Sequence, residues 1–319
     1  MKIAFEEFAQ SGLSRNDIYL AYKLLLGREP ESQQVIDDHM VHKTLDRVRQ
    51  VMVNSVEFKS QFTNFSDFGK KWVSTEVLDD YTMWVDLSDR FVSRGCLQNN
   101  WAESESNFFV SVLPSTKTVL DIGANIGWFS LLSAKHMHSG AVVHAFEANS
   151  LVASKLKRTV SENKLENRVN VWNLALSNKA EELYICWGKE TDNPGGAHIS
   201  QKRDDPSMVY QLVNAVALDD LMPELKPDLI KMHVEGAEPR VIQGARRLLK
   251  HCKPLVLSAL HPPKLKAVSN ASATQFIFQM TELGYHCFLL EGGKPTRKLK
   301  DFPSDLKLDL VSVVFERMN

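Results

Sequence analysis

The chain has only four cysteines in 319 residues, Cys96, Cys186, Cys252 and Cys287. They are widely separated and form no C-x-x-C pair, which excludes a zinc ribbon and a disulfide scaffold and leaves four reduced, buried thiols as the expectation. An excess of charge is lacking as well: 38 Lys and Arg stand against 39 Asp and Glu, a net charge of −1. Such a balance gives no bulk attraction for nucleic acid or an anionic membrane. No run approaches the roughly 18 uncharged apolar residues of a spanning helix. Glu6 and Glu7 fall where a secretory signal would be apolar. The expectation is a cytoplasmic protein with no transmembrane segment and no nucleic-acid partner.

What is present is ordinary globular material, 44% hydrophobic and 24% charged. At about 150 residues per domain this length suggests roughly two domains. The pattern divides them as a helical domain over 1–66, a lead-in or linker with some helix and strand over 67–105, and an α/β domain over 106–319.

In the first of these, Ser14 and Asp17 stand at capping-box spacing before Ile18, Ala21, Tyr22 and Leu25, predicting a helix that ends at Gly27. A second helix is expected from Pro30 to about His42, with Val35, Ile36 and Met40 inward. A third is expected from Thr44 to about Val53, with Leu45, Val48, Val51 and Met52 inward, and a short turn from Ser55 to Phe62 closes the bundle. From Thr118 onward short apolar runs alternate with amphipathic helices, the signature of a doubly wound α/β domain. Near the end, ATQFIFQMTELG reads as a helix stopped by Gly284. HCFLL and LVSVVFER read as strands joined through Gly292 and Gly293, and a hairpin there would make the sheet mixed.

The chemistry concentrates at strand ends. In VLDIGANIGWFS a strand finishes at Asp121 and turns through Gly123, Asn125 and Gly127 into a helix, an arrangement that lets a small polar ligand approach the backbone. The spacing is G-x-x-x-G. It departs from the dinucleotide-binding G-x-G-x-x-G, and no Gly-Lys-Ser/Thr follows, which weighs against NAD and ATP. Glu147, in HAFEANS, ends the next strand, and ligands of open α/β sheets bind outside such carboxyl ends, so Asp121 and Glu147 are expected to face one crevice with Glu147 on a ribose diol. An adenosyl compound without a diphosphate fits carboxylates beside glycine backbone. S-Adenosylmethionine, with its ribose, ammonium and sulfonium, is such a compound.

Two resemblances sharpen this reading. YKLLLGREP and NSVEFKSQF, within Asp17 to Phe62, resemble a small helical domain appended to enzymes that act on bacterial glycans. Over about Asn100 to Phe315 the chain resembles the FkbM-type S-adenosylmethionine-dependent methyltransferases. VLDIGANIGWFS, FEAN, NLALSN, VALDDL and IKMHVEGAE followed by VIQGARRLL carry that resemblance in order and spacing. It implies a Rossmann-like class I methyltransferase fold with a seven-stranded mixed sheet. It also implies O-methylation, with S-adenosylmethionine held by Asp121, Gly123, Asn125 and Gly127, by Glu147 at the ribose, and by Asn173, Leu174 and Ala175 at the adenine. Asn149 reads equally as a helix cap or a cofactor contact.

One position departs from the family: IKMHVEGAE has His233 where members commonly carry Asp. A neutral imidazole at a strand end suits acceptance of a hydroxyl proton, so His233 is a candidate base, with a hydrogen-bonded supporting histidine as the alternative. Glu235, Glu238 and His261 complete the catalytic candidates. The two glutamates also suit a helix N-terminus, and His261 also suits a loop. His198, in NPGGAHIS, and Trp128 are weaker candidates for the acceptor side. No metal-ligand spacing is present, and no metal is expected. The acceptor follows from the family and the helical module as a sugar of a glycan or glycolipid, or another small molecule. A natural-product methyltransferase, and a cofactor-binding module with little turnover docked on a glycan-assembly partner, fit the same residues. A homodimer is compatible with all three.

Overall fold

The computed structural model describes residues 13–55, 57, 72–189, 196–303 and 309–317. The chain divides into two compact units, Met1–Lys70 and Lys71–Asn319.

The smaller unit contains α1 (Arg15–Ala21), continued by a π-helical turn over Tyr22–Leu26, then α2 (Gln33–Met40) and α3 (Leu45–Asn54). The capping box forms: the Asp17 N–H donates to Ser14 Oγ, and the Asp17 carboxylate accepts from the Ser14 N–H at 2.8 Å. Gly27 ends the segment with φ +67°, a left-handed stop that glycine adopts without penalty. Ile18, Ala21, Tyr22 and Leu26 bury one stripe against Ile36, Val48 and Met52. Leu45 and Val51, expected inward, are each 38% exposed. Among its described side chains, α3 buries Val48 and Met52. The expected turn from Ser55 to Phe62 lies largely outside the described residues.

The larger unit opens with a hairpin, β1 (Trp72–Val77) and β2 (Tyr81–Asp86), then α4 (Val92–Leu97) and α5 (Glu103–Val112). The alternating strand is β3 (Thr118–Ile122), α6 (Trp128–His136), β4 (Val142–Phe146), α7 (Ser150–Glu162) and β5 (Val169–Trp172). A separate four-stranded sheet follows, ordered β6-β9-β7-β8, with β6 (Ala175–Leu176), β7 (Glu181–Gly188), β8 (His198–Ser200) and β9 (Met208–Val216). The winding resumes with α8 (Leu218–Leu221), β10 (Leu229–Met232), α9 (Glu238–Gly244), α10 (Arg246–Cys252), β11 (Leu255–Leu260), α11 (Pro262–Ser269) and α12 (Ala273–Thr281). Three strands finish it, β12 (Tyr285–Glu291), β13 (Lys294–Leu299) and β14 (Val311–Arg317).

The main sheet runs β13-β12-β14-β11-β10-β3-β4-β5. It is parallel from β11 to β5 and antiparallel from β11 to β13. This is the mixed Rossmann-like sheet, with eight strands rather than seven. The turn at Gly292 and Gly293 does not lead to LVSVVFER. It leads to KPTRKL, an edge strand whose mostly exposed, cationic residues and Pro295 gave no hydrophobic alternation to read.

Period-2 alternation along β3 sends Leu120 and Ile122 to the face covered by α9, α10 and α12, and Val119 and Asp121 to the face covered by α5, α6 and α7. Residues 72–105 carry the expected mixture of strand and helix, and they pack within the larger unit. Val77, Met83 and Val85 are fully buried in the core of the larger unit, and β2 is tied to α7 by the Thr82 N–H to Asn163 Oδ1 (2.8 Å) and the Trp84 N–H to Thr159 Oγ1 (3.1 Å). Among the described residues no helix is long and apolar enough to cross a membrane.

Candidate active site

A cavity of about 530 Å³ opens at the carboxyl ends of β3, β4 and β10, within the size range of small-molecule sites. One side of it is built by the turn after β3. The N–H groups of Gly123 and Ala124 both donate to the Phe146 carbonyl (3.0 and 2.9 Å), tying this turn to the end of β4. Asn125 takes φ +51°, a left-handed conformation that asparagine tolerates. Its N–H donates to Glu147 Oε2 at 2.8 Å, while the Asn149 N–H donates to Oε1 at 2.8 Å. Glu147 is thereby fixed in the cavity wall, and burial pushes its carboxyl up against these two hydrogen bonds. A carboxylate offers about four lone-pair positions, so each oxygen keeps capacity for a ligand hydroxyl.

The glycines of the turn also have a packing reason that the spacing did not show. A Cβ at Gly123 would collide with the His233 carbonyl oxygen, and one at Gly127, where φ is +97°, would collide with Leu156. Both are required by close approach of the protein's own backbone and core. That packing lays the turn after β3 directly against the end of β10.

Asp121 does not line the cavity. It lies wholly buried beneath the turn, where Oδ2 accepts from Ser130 Oγ at 2.7 Å and Oδ1 stands 3.7 Å from Lys231 Nζ. Its position on β3 sends it toward α6 instead of out of the strand end. Asn173 also stays out of the lining. Its Nδ2 donates to the carbonyls of Glu147 and Ala148 (2.9 and 3.0 Å), holding the end of β5 to the segment that carries the carboxylate. Leu174 and Ala175 do line the cavity, as do Gly123, Asn125 and Glu147. Gly127 closes the turn without reaching it. Asn149 lines it and is also the N-cap of α7, its Oδ1 accepting from Leu151 and Val152.

The other side collects His233, Glu235, His261, His198 and Lys264. His233 Nε2 is 3.2 Å from Glu235 Oε1, and Lys264 Nζ is 3.5 Å from Glu235 Oε2. Burial raises the Glu235 carboxyl, but the hydrogen bond and charge of His233, with the charges of Lys264 and His261, outweigh it and hold the group below the ordinary carboxylate range. Burial holds His261 and His198 below the usual imidazole value; Lys264 adds to it at both, and Glu235 opposes it at both, at His261 more than Lys264 contributes. His198 Nε2 stands 3.5 Å from the buried Cys186 Sγ. It lies at the start of β8, and residues 190–195 of the preceding loop lie outside the described residues.

Glu238 does not belong with the catalytic candidates. It is buried outside the lining, its Oε1 accepting from the Val234 N–H and its Oε2 from the Gly236 N–H, both at 2.9 Å. Its carboxylate braces the turn that presents His233 and Glu235.

Sequence reasoning missed Lys231 and Lys264. Lys231 is 9% exposed and lines the cavity, its Nζ 3.1 Å from the Gly123 carbonyl and 5.0 Å from the Phe129 ring centroid. A charged residue inside the otherwise apolar strand LIKM was the available signal. Lys264, in the first turn of α11, had none.

A Rossmann-like mixed sheet with a glycine turn after its first parallel strand and an acidic residue ending the next defines a class I methyltransferase fold. The methyltransferase FkbM domain matches residues 121–287, more than half of the sequence, and the chain belongs to the FkbM methyltransferase family. The FkbM methyltransferase structure from Methylobacillus flagellatus is similar at 15% identity, over 93% of this chain and 58% of that one, with a TM-score of 0.39. The O-methyltransferase from Bacillus cereus, solved in complex with SAH, is similar at 14% identity over 68% of this chain and 83% of that one, TM-score 0.38. A precorrin-6y C5,15-methyltransferase from Geobacter metallireducens is similar at 11% identity over 72% and 95%, TM-score 0.41. No curated protein matches the sequence.

Proposed function

We propose that this methyltransferase transfers its methyl group to a hydroxyl oxygen, with a sugar of a glycan or glycolipid as acceptor, in the cytoplasm. The cofactor is S-adenosylmethionine, which when bound supplies a methyl group on a sulfonium. The residues present fit it: Glu147 keeps free acceptor positions that would take the ribose hydroxyls, Leu174 and Ala175 would offer apolar surface to the adenine, and the Gly123–Asn125 backbone would border the amino-acid tail.

One observation carries the choice of a hydroxyl. The His233 carbonyl packs on Gly123, so the backbone that carries the imidazole into the cavity lining is anchored beside the turn after β3. Its Nε2 faces Glu235 Oε1 at 3.2 Å, so in the neutral imidazole with its proton on Nε2 the lone pair lies on Nδ1. In that position His233 would take the proton of an acceptor hydroxyl, and Glu235 would steady the imidazolium that results; the bound cofactor would supply the methyl group and leave as the neutral thioether. Trp101 and Phe91 line the cavity and supply aromatic surface complementary to the apolar face of a pyranose ring.

A small natural product as acceptor is favoured by the apolar rim of Phe91, Val92 and Leu310. The test is incubation with labelled S-adenosylmethionine and a panel of sugar nucleotides, glycolipid precursors and phenols, with fragmentation of the products to locate the methyl group. An O-methylated sugar supports the reading. Exclusive N-methylation overturns the hydroxyl assignment, and exclusive labelling of phenols overturns the sugar.

A further inference from the structure

We propose that Lys231 forms a carboxylate-anchoring subsite, in which its ammonium receives the α-carboxylate of the amino-acid tail of S-adenosylmethionine. This rests on the reading that the cavity holds that cofactor. A zwitterionic tail entering a buried crevice needs a cation for its carboxylate, because an unpaired buried charge is costly. The charged walls otherwise repel it: Glu105, Glu147 and Glu235 all line the cavity. Among the described lining residues two lysines carry positive charge. Lys264 is spent at the far side, 3.5 Å from Glu235 Oε2 and 3.4 Å from the Gly196 carbonyl.

Lys231 stands at the turn after β3. An ammonium has three N–H donors, and one of them meets the Gly123 carbonyl at 3.1 Å. Asp121, its neighbour across the β3–β10 register, takes no hydrogen bond from it: Oδ1 is 3.7 Å away and has no hydrogen-bond partner among the described residues. The Asp121 oxygen that is bonded belongs to Ser130. Burial also raises the Asp121 carboxyl, so the compensation of Lys231 from beneath is incomplete. A nine-tenths buried lysine with donors to spare, facing the glycine turn, is complementary to a carboxylate.

The test compares S-adenosylhomocysteine with S-adenosyl-3-thiopropylamine, which lacks only the carboxylate, by calorimetric titration of the full chain. The wild type is expected to prefer S-adenosylhomocysteine by about tenfold or more, the step of one charge-assisted contact. Lys231→Met is expected to bring the two affinities within about threefold of each other while leaving that of the decarboxylated ligand near its wild-type value, and Lys231→Arg to keep the preference. A Lys231→Met variant that retains the wild-type preference, or loses both ligands by the same factor, overturns the proposal. Should that variant not fold because Asp121 is left alone, Asp121→Asn/Lys231→Met removes the buried pair together and is read by the same two criteria. Failure of the wild type to bind either ligand overturns the cofactor reading itself, a result separate from an unchanged preference.

Discussion

Glu235 holds His233 from a strained backbone position: its Oε1 lies 3.2 Å from His233 Nε2 while its own φ is +52°. A left-handed conformation at a residue other than glycine costs on the order of 1 kcal/mol, and it aims the carboxylate back over the strand end. Glycine at this position relieves the strain and deletes the carboxylate. Glu235→Gly is therefore expected to be at least as stable as wild type yet slower in turnover, whereas His233→Ala should lower kcat by about 10²- to 10⁴-fold with cofactor affinity retained. Turnover and calorimetric affinity measured on both variants check this. A His233→Ala enzyme with wild-type kcat sinks the base assignment.

Glu147 carries two tasks that substitution separates. It faces the cavity, and it accepts the N–H groups of Asn125 and Asn149. Glu147→Ala strands both donors in a buried wall at about 1–3 kcal/mol each, so thermal stability and S-adenosylhomocysteine affinity should fall together. Glu147→Gln keeps one acceptor oxygen and should lose less stability while still binding at least about tenfold more weakly, because the amide offers fewer acceptor sites to a diol. Thermal melts beside titrations decide. Unchanged affinity in Glu147→Gln would remove the carboxylate from the ribose site.

Much of this architecture was legible in the chain because its signals are periodic or local. The winding from Thr118, the capping box at Ser14 and Asp17, and the strand-end placement of Glu147 and His233 all follow from spacing alone. What escaped depends on which face of a strand a residue occupies. Asp121 and Glu147 both finish apolar runs, yet alternation turns Asp121 down toward Ser130 while Glu147 lies beyond the last residue of β4 and points into the crevice. Glu238 was unreadable for another reason: a helix-start carboxylate looks the same whether it meets a ligand or, as here, the N–H groups of Val234 and Gly236. KPTRKL lacked alternation because an edge strand exposes most of its side chains.

The glycines of the turn after β3 are expected to tolerate nothing larger. At Gly123 a methyl group meets the His233 carbonyl, which is backbone and fixed by the His233 N–H to the Ile122 carbonyl at 3.0 Å. At Gly127 it meets a flexible Leu156 side chain, but the left-handed φ adds strain. Gly123→Ala should separate β3 from β10, abolishing S-adenosylhomocysteine binding and lowering stability by about 2 kcal/mol or more, the range of overpacked cores. Gly127→Ala should cost about 1–2 kcal/mol and retain measurable affinity. Denaturant unfolding and titration of the two variants test the order, and the reverse order would show that the β3–β10 contact is not what the turn depends on.

The turn brace at Glu238 gives stability a pH signature. Burial raises its carboxyl above the usual value of 4.5, against the two N–H bonds it accepts. The folded chain therefore holds this proton at pH values where the unfolded chain has released it, and stability falls as pH rises through that window. The contribution is largest below about pH 4.5 and declines up to the folded pKa. A glutamine does not titrate. The stability of wild type relative to Glu238→Gln should therefore shrink as pH rises above about 4.5, by about 1.4 kcal/mol for each unit by which the folded pKa is raised. Denaturant midpoints for both proteins across that range measure the difference directly. A gap that widens with pH would mean that the Val234 and Gly236 donors outweigh burial and keep Glu238 ionised.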